Sequence, residues 1–108
     1  MTHVTGEFFY IKQGDMHPPV LATLKDADQV PINLVGTSVK FITNFGVDAP
    51  VSLLVGTGEV QYDWVAGDTD VPPGIYDGEF EIDWGGSLGK QTVPNDGHIK
   101  VVITGDLG

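Results

Sequence analysis

Apolar and polar residues alternate with a period of two along most of the chain, most clearly between Ile75 and Trp84. The positions expected to face inward are Tyr76, Phe80, Ile82 and Trp84, with Gly78 between them, and those expected to face outward are Asp77, Glu79, Glu81 and Asp83. A helix would scatter both sets around its circumference, whereas a strand places them on opposite faces. The segment is therefore predicted to be a strand with an acidic, solvated outer face.

The same alternation recurs in segments 20–25, 38–41, 59–65 and 98–104. It predicts a set of inward-facing residues: Val20, Ala22, Leu24, Val39, Phe41, Val60, Tyr62, Trp64, Ile99, Val101 and Ile103. Segment 8–11 differs, because apolar side chains fall on both of its faces. That pattern is typical of a strand covered by neighbouring protein on both sides, from its own chain or from a partner.

Turn-forming residues separate these segments at short, fairly regular intervals. They are Gly14-Asp15 with Pro18-Pro19, Asp26 to Pro31, Gly56 to Gly58, Gly67 to Gly74, Gly85-Gly86, and Asn95 to Gly97. Glycine, proline, asparagine and aspartate favour the backbone conformations of tight turns. The spacing predicts an all-β, Ig-like β-sandwich of seven to nine short antiparallel strands, with no helix longer than a turn. We expect one domain over residues 1–108, with an N-terminal arm at 1–7 and a C-terminal tail at 105–108.

The composition of the chain says little more about its fold, but it excludes several classes of function. Five lysines and no arginine stand against 15 acidic residues, for a formal net charge of −10. Binding to nucleic acid needs basic side chains that displace counterions from phosphate, so it is not expected, and an anionic membrane would repel the chain. The acidity fits solubility or a basic partner. The chain has no cysteine, no apolar run long enough to insert into a membrane, and an N-terminus unlike a secretory signal.

Few side chains suggest chemistry. His3, His17 and His98 lack partners at metal-ligand or general-base spacing, so neither catalysis nor a cofactor is expected. The one weak cation candidate is the acidic turn around Asp68 and Asp70, although aspartates in turns more often bind their own backbone amides. Trp64 and Trp84 are interpreted as core residues. A carbohydrate-stacking role would require them on an exposed face.

Seven segments, in order, carry a resemblance to a known family. They are FYIKQGD (9–15), PVLATLKD (19–26), PINLVGTSVKF (31–41), GEVQYDW (58–64), DTD (68–70), GIYDGEFE (74–81) and TVPNDG (92–97). Together they resemble the N-terminal Ig-like domain of the phage baseplate upper protein family, found in siphophage tail, baseplate and fibre proteins. The resemblance covers roughly residues 8–104. The chain departs from it at Asp28-Gln29, where the family often has glycine.

The resemblance implies a non-enzymatic virion protein, made in the host cytoplasm, that docks other virion proteins in a symmetric, multi-copy assembly. Ending at Gly108, the chain is expected to be a tail or baseplate adaptor rather than a complete receptor-binding fibre. A capsid-decorating or head-fibre protein is one alternative, and a carbohydrate-binding sandwich that adheres to host-surface glycan is another. The doubly apolar first strand predicts the partner-binding residues Phe8, Phe9 and Tyr10, together with the adjoining arm.

Overall fold

A computed structural model describes residues 8–54, 58–94 and 98–107. Nine strands and one short 3-10 turn, Gly86–Leu88, lie in these ranges. The strands are β1 (Phe8–Lys12), β2 (Val20–Thr23), β3 (Ser38–Thr43), β4 (Asp48–Pro50), β5 (Ser52–Leu53), β6 (Glu59–Tyr62), β7 (Gly74–Asp83), β8 (Lys90–Val93) and β9 (Ile99–Thr104). The all-β class predicted from the alternation is confirmed. The predicted arm at 1–7 and the turn signals at 56–57 and 95–97 lie outside the described residues.

The strands form two sheets that pack face to face. The larger sheet has the order β1-β9-β7-β3-β4, and β8 pairs with the second half of β7. The smaller sheet has the order β2-β6-β5. Rings from the two sheets meet between them, since Phe41 of β3 and Tyr62 of β6 have centroids 5.2 Å apart. The chain is therefore a β-sandwich.

One strand pair runs against the antiparallel expectation. β1 and β9 are parallel, with Phe8 opposite Lys100 and Lys12 opposite Thr104. Alternation of apolar and polar residues reports which face a side chain occupies, but it carries no information about strand direction. A parallel pair needs a long connection, and here nearly the whole chain lies between the first and last strands.

The predicted inward residues form the core. All eleven from the four shorter segments are buried, as are Phe80 and Ile82 of β7. Tyr76 and Trp84 lie at the edge of the core and are only partly buried. The centre is aromatic: the Phe41 ring lies 5.0 Å from Phe80 and 6.0 Å from Trp64.

Gly78 explains the gap in the apolar face of β7. A Cβ atom placed there would lie 3.1 Å from the Phe41 ring, closer than ordinary contact. The missing side chain lets the ring lie directly against the backbone of β7. The inward alternation is thus continuous, with Phe41 filling the place that a residue at 78 would occupy.

The turn from Asp26 to Pro31 is stabilised by hydrogen bonds to the Asp26 carboxylate. Asp26 Oδ1 accepts hydrogen bonds from the backbone N–H groups of Asp28 (2.9 Å) and Val30 (3.0 Å). Gln29 has a φ of 66°, the only positive value at a non-glycine residue in the described ranges. Glycine adopts this conformation without strain, whereas residues with a side chain rarely do. The position where this chain departs from the family's glycine is therefore one where glycine would fit the backbone better.

Candidate docking surface on the larger sheet

The outer face of the larger sheet carries a group of apolar side chains on β1, β9 and β7. Register places Tyr10 beside Val102, and Val102 beside Ile75, in one row across the three strands. Phe8 is on the same face of β1, two residues before Tyr10, and lies opposite Lys100. We call Phe8, Tyr10, Ile75 and Val102 the apolar patch.

The apolar patch is open to solvent. Phe8 is 53% exposed, Tyr10 63% and Ile75 66%, while Val102 is half-buried between its neighbours. The rings of Phe8 and Tyr10 lie 6.3 Å apart and nearly parallel, at 22°. Single exposed apolar residues are ordinary on protein surfaces, but a contiguous group of exposed aromatic and aliphatic residues is typical of a contact surface.

Phe9 lies on the other face of β1. It is partly buried against the core, with its ring centroid 6.0 Å from that of Trp64. Of the three predicted partner-binding residues, the structure therefore brings Phe8 and Tyr10 together on the surface and directs Phe9 inward. An aromatic run in the sequence does not show which of its members faces a neighbouring sheet.

Elsewhere the outer face carries several charged side chains, and three of its carboxylates pair with lysine. Asp77 pairs with Lys100 at 2.5 Å, and two further pairs, Glu81 with Lys90 and Asp48 with Lys40, are 3.6 Å apart. His98 Nε2 lies 3.5 Å from Glu79 Oε1. The hydrogen bond from Lys100, with its charge, lowers the pKa of Asp77 below the usual carboxyl range. Three of the four carboxylates expected on this acidic face therefore lie beside a lysine or a histidine. The fourth, Asp83, accepts a hydrogen bond from the Gly85 backbone N–H at 2.9 Å through its Oδ1.

An open groove of about 230 Å³ lies beside these ion pairs, lined by Ile42, Thr43, Asn44, Asp77, Gly78, Glu79 and His98. Asn44 Oδ1 accepts a hydrogen bond from the Asp77 backbone N–H at 3.0 Å, which holds the rim of the groove. Of the two carboxylates in the groove, Asp77 pairs with Lys100 and Glu79 lies beside the His98 imidazole.

In the turn that contains Asp68 and Asp70, the Asp68 carboxylate is hydrogen-bonded to nearby groups of the same chain. Asp68 Oδ2 accepts hydrogen bonds from the Tyr62 hydroxyl at 2.5 Å and from the Val65 backbone N–H at 3.0 Å. The Asp70 N–H donates to the Gly67 carbonyl. Burial raises the pKa of Tyr62, and the Asp68 carboxylate raises it further. No group of three or more histidine or acidic side chains suited to a metal ion occurs in the described ranges.

The two tryptophans differ in exposure. Trp64 is 3% exposed, and its Nε1 donates a hydrogen bond to the Pro18 carbonyl at 3.1 Å. Trp84 is half-buried, and its Nε1 donates to Gln91 Oε1 at 3.2 Å. Trp64 is therefore a core residue, as predicted, and its ring is not offered to a carbohydrate.

Sequence reasoning missed Ile75 and Val102 as members of the apolar patch. Both occupy outward positions in their own strands, Ile75 two residues before Asp77 and Val102 between Lys100 and Thr104. An apolar residue at an outward position of an otherwise regular alternation could have indicated that each one is exposed. Their juxtaposition with Tyr10, however, depends on the pairing of β1 with β9, which no local pattern reveals.

Comparison with protein-family models, with curated proteins and with solved structures gives no match to this chain. The resemblance to the phage baseplate upper protein family therefore stays a prediction from the sequence motifs. Within the described ranges, no helix has the length and apolar character needed to cross a membrane.

Proposed function

We propose that this chain is a non-enzymatic structural protein of a bacteriophage virion, a tail or baseplate adaptor that binds another virion protein through the apolar patch. The observation that carries the proposal is the exposure of Phe8, Tyr10 and Ile75 close together on the outer face of the larger sheet. Aromatic residues are enriched in the central, buried part of protein–protein interfaces, where they supply large contact areas.

The surroundings of the apolar patch suit such an interface. Lys12 and the Asp77–Lys100 pair flank it at its two ends. Interfaces commonly have an apolar centre and a charged rim, and the rim contributes orientation more than affinity. The net charge of −10 favours a partner that carries basic residues outside the part that covers the apolar patch.

The virion part of the proposal comes from the ordered motifs between residues 9 and 97 that resemble the baseplate family. It is tested by quantitative mass spectrometry of purified phage particles from a culture that carries the gene. We expect the chain in the particles at a fixed, multiple copy number. Its absence from particles whose other structural proteins are detected would overturn the virion assignment.

The docking part is tested by a double substitution, Phe8→Ser with Tyr10→Ser. Both side chains are exposed, so the variant should fold, and we expect its incorporation into particles to fall at least tenfold. Leu88→Ser is a matched control, because Leu88 is 76% exposed but lies in the 3-10 turn away from the apolar patch. Equal incorporation of the double variant and the control would remove the apolar patch from the proposal.

A glycan-binding sandwich is the second candidate, and the stacked, exposed rings of Phe8 and Tyr10 are the observation in its favour. Flat aromatic faces can stack on sugar rings. Affinity electrophoresis in gels containing host cell-wall polysaccharide separates the two candidates. Retardation of the wild-type chain that is lost in the double variant would favour glycan binding over protein docking.

A further inference from the structure

β1 has one free edge in the described part of the fold. β9 occupies one side of it, and no described strand pairs with the other. An unpaired strand edge presents a row of backbone N–H and C=O groups that can accept a further strand.

The hydrogen bonds between β1 and β9 show which residues of β1 direct their backbone N–H and C=O groups toward the free edge. The Gln13 N–H donates to the Thr104 carbonyl at 2.8 Å, so Gln13 is directed toward β9. Backbone groups of successive residues in a strand point to alternate sides, which directs Phe9 and Ile11 toward β9 as well. Phe8 and Tyr10 therefore present their backbone groups at the free edge, while their side chains lie in the apolar patch.

We propose that the partner binds by adding an extended segment, rich in basic residues, as a strand along the free edge of β1. This inference rests on the proposed docking function and names the form of its partner. Strand addition uses main-chain hydrogen bonds for affinity and alternate side chains for specificity. The added strand would continue the outer face, so its alternate apolar residues would pack beside the rings of Phe8 and Tyr10.

Charge favours a basic segment over a second copy of this chain. Two copies would bring net charges of −10 together, and like charges across an interface oppose association. Lys12 is the one charged side chain of β1. We therefore place the basic residues of the partner segment in its flanks, where they meet the acidic remainder of the surface rather than Lys12.

A proline at position 10 separates the contribution of the backbone from that of the side chain. Tyr10→Pro removes the edge-facing N–H of β1 without removing a donor to β9, and proline is tolerated on an edge strand in that orientation. Tyr10→Ala removes the same ring but keeps the N–H. The two variants thus differ chiefly in the hydrogen bond that an added strand would accept.

The assay measures rebinding of purified protein to phage particles assembled without it. We expect Tyr10→Ala to weaken rebinding about tenfold and Tyr10→Pro to weaken it at least tenfold more. Equal affinities of the two variants would overturn strand addition while leaving the docking surface in place. Failure of the wild-type chain to rebind would overturn both proposals.

Two further measurements keep the inference testable if Tyr10→Pro fails to fold. Hydrogen exchange of a peptide covering residues 8–12 should slow when wild-type protein binds the particles, and unchanged exchange would contradict strand addition. Light scattering of the isolated protein addresses a second copy as the occupant. A dimer that Tyr10→Ala leaves intact and Tyr10→Pro dissociates would assign the edge to self-association and overturn the basic partner.

Discussion

The two faces of the larger sheet both carry aromatic rings, but the rings are buried on one face and exposed on the other. On the inner face, Phe41 and Phe80 are fully buried and their centroids lie 5.0 Å apart. On the outer face, Phe8 and Tyr10 are more than half exposed, with centroids 6.3 Å apart. Ring contacts of similar geometry thus occur with and without removal of the rings from water.

Because of this difference, the inner rings and the outer rings should contribute differently to the stability of the isolated chain. Burial of apolar surface drives folding, so the inner rings stabilise the sandwich by their removal from water. The outer rings stay largely in water in the isolated chain, so their burial contributes little to its folding, and under the proposed docking they would be buried by the partner. Substitutions on the two faces should therefore affect different measurements, in the following order of size.

The largest effect is expected for Phe80→Ala, which should lower the free energy of unfolding by about 3–5 kcal/mol because it leaves a cavity beside Phe41. Urea unfolding followed by tryptophan fluorescence measures the change. Tyr10→Ala is the matched outer-face variant, and its free energy of unfolding should stay within about 0.5 kcal/mol of wild type. Similar losses for the two variants would contradict the division between the faces.

Gly78→Ala tests how tightly the inner face is packed. The added methyl group would lie 3.1 Å from the Phe41 ring, and overpacking of this kind costs about 1–3 kcal/mol. Gly105→Ala is the control, since its Cβ would be 3.9 Å from Pro73, an ordinary contact. Thermal unfolding should show a lower midpoint for Gly78→Ala alone, and unchanged midpoints for both would argue against close approach of the ring.

Tyr62→Phe removes the hydroxyl that donates to Asp68 and should cost about 1–2 kcal/mol. Because the folded pKa of Tyr62 is raised, its protonated form favours the folded state. That contribution is complete below the ordinary tyrosine pKa of about 10 and declines as the pH rises above it. Urea unfolding at pH 8 and pH 11 should show the difference between wild type and variant shrinking at the higher pH. A difference that grew would reverse the expected sign.

The smallest effect is expected for the Asp77–Lys100 pair of the outer face. A double-mutant cycle with Asp77→Asn and Lys100→Gln should give a coupling below about 1 kcal/mol, because both side chains are more than a third exposed and are screened. The pKa of Asp77 is lowered. The coupling should therefore be present above the unfolded carboxyl value of about 3.9 and disappear as the pH falls through the lower folded value. A coupling insensitive to acid would contradict this assignment.

Much of the fold could be predicted from local pattern, and the candidate site only in part. Val60, Tyr62 and Trp64 are buried as their alternation predicts, because one face of a half-buried strand must be apolar whatever its neighbours are. Phe8 and Tyr10 were predicted to bind a partner from the excess of apolar residues in one short segment, and the structure shows that both are exposed. Phe9 was grouped with them, because an aromatic run alone does not reveal which side chain the second sheet covers.

The sequence by itself determined the strand periodicity, the turns and the acidity of the surface, since each depends on residues close together in the chain. The tertiary structure alone decided the parallel pairing of β1 with β9, which joins residues 92 positions apart in the case of Phe8 and Lys100. That pairing brings Tyr10, Val102 and Ile75 into one row, and within the described ranges no strand pairs with the other edge of β1. Long-range pairing depends on the packing of the whole sandwich, and no local pattern of apolar and polar residues encodes it.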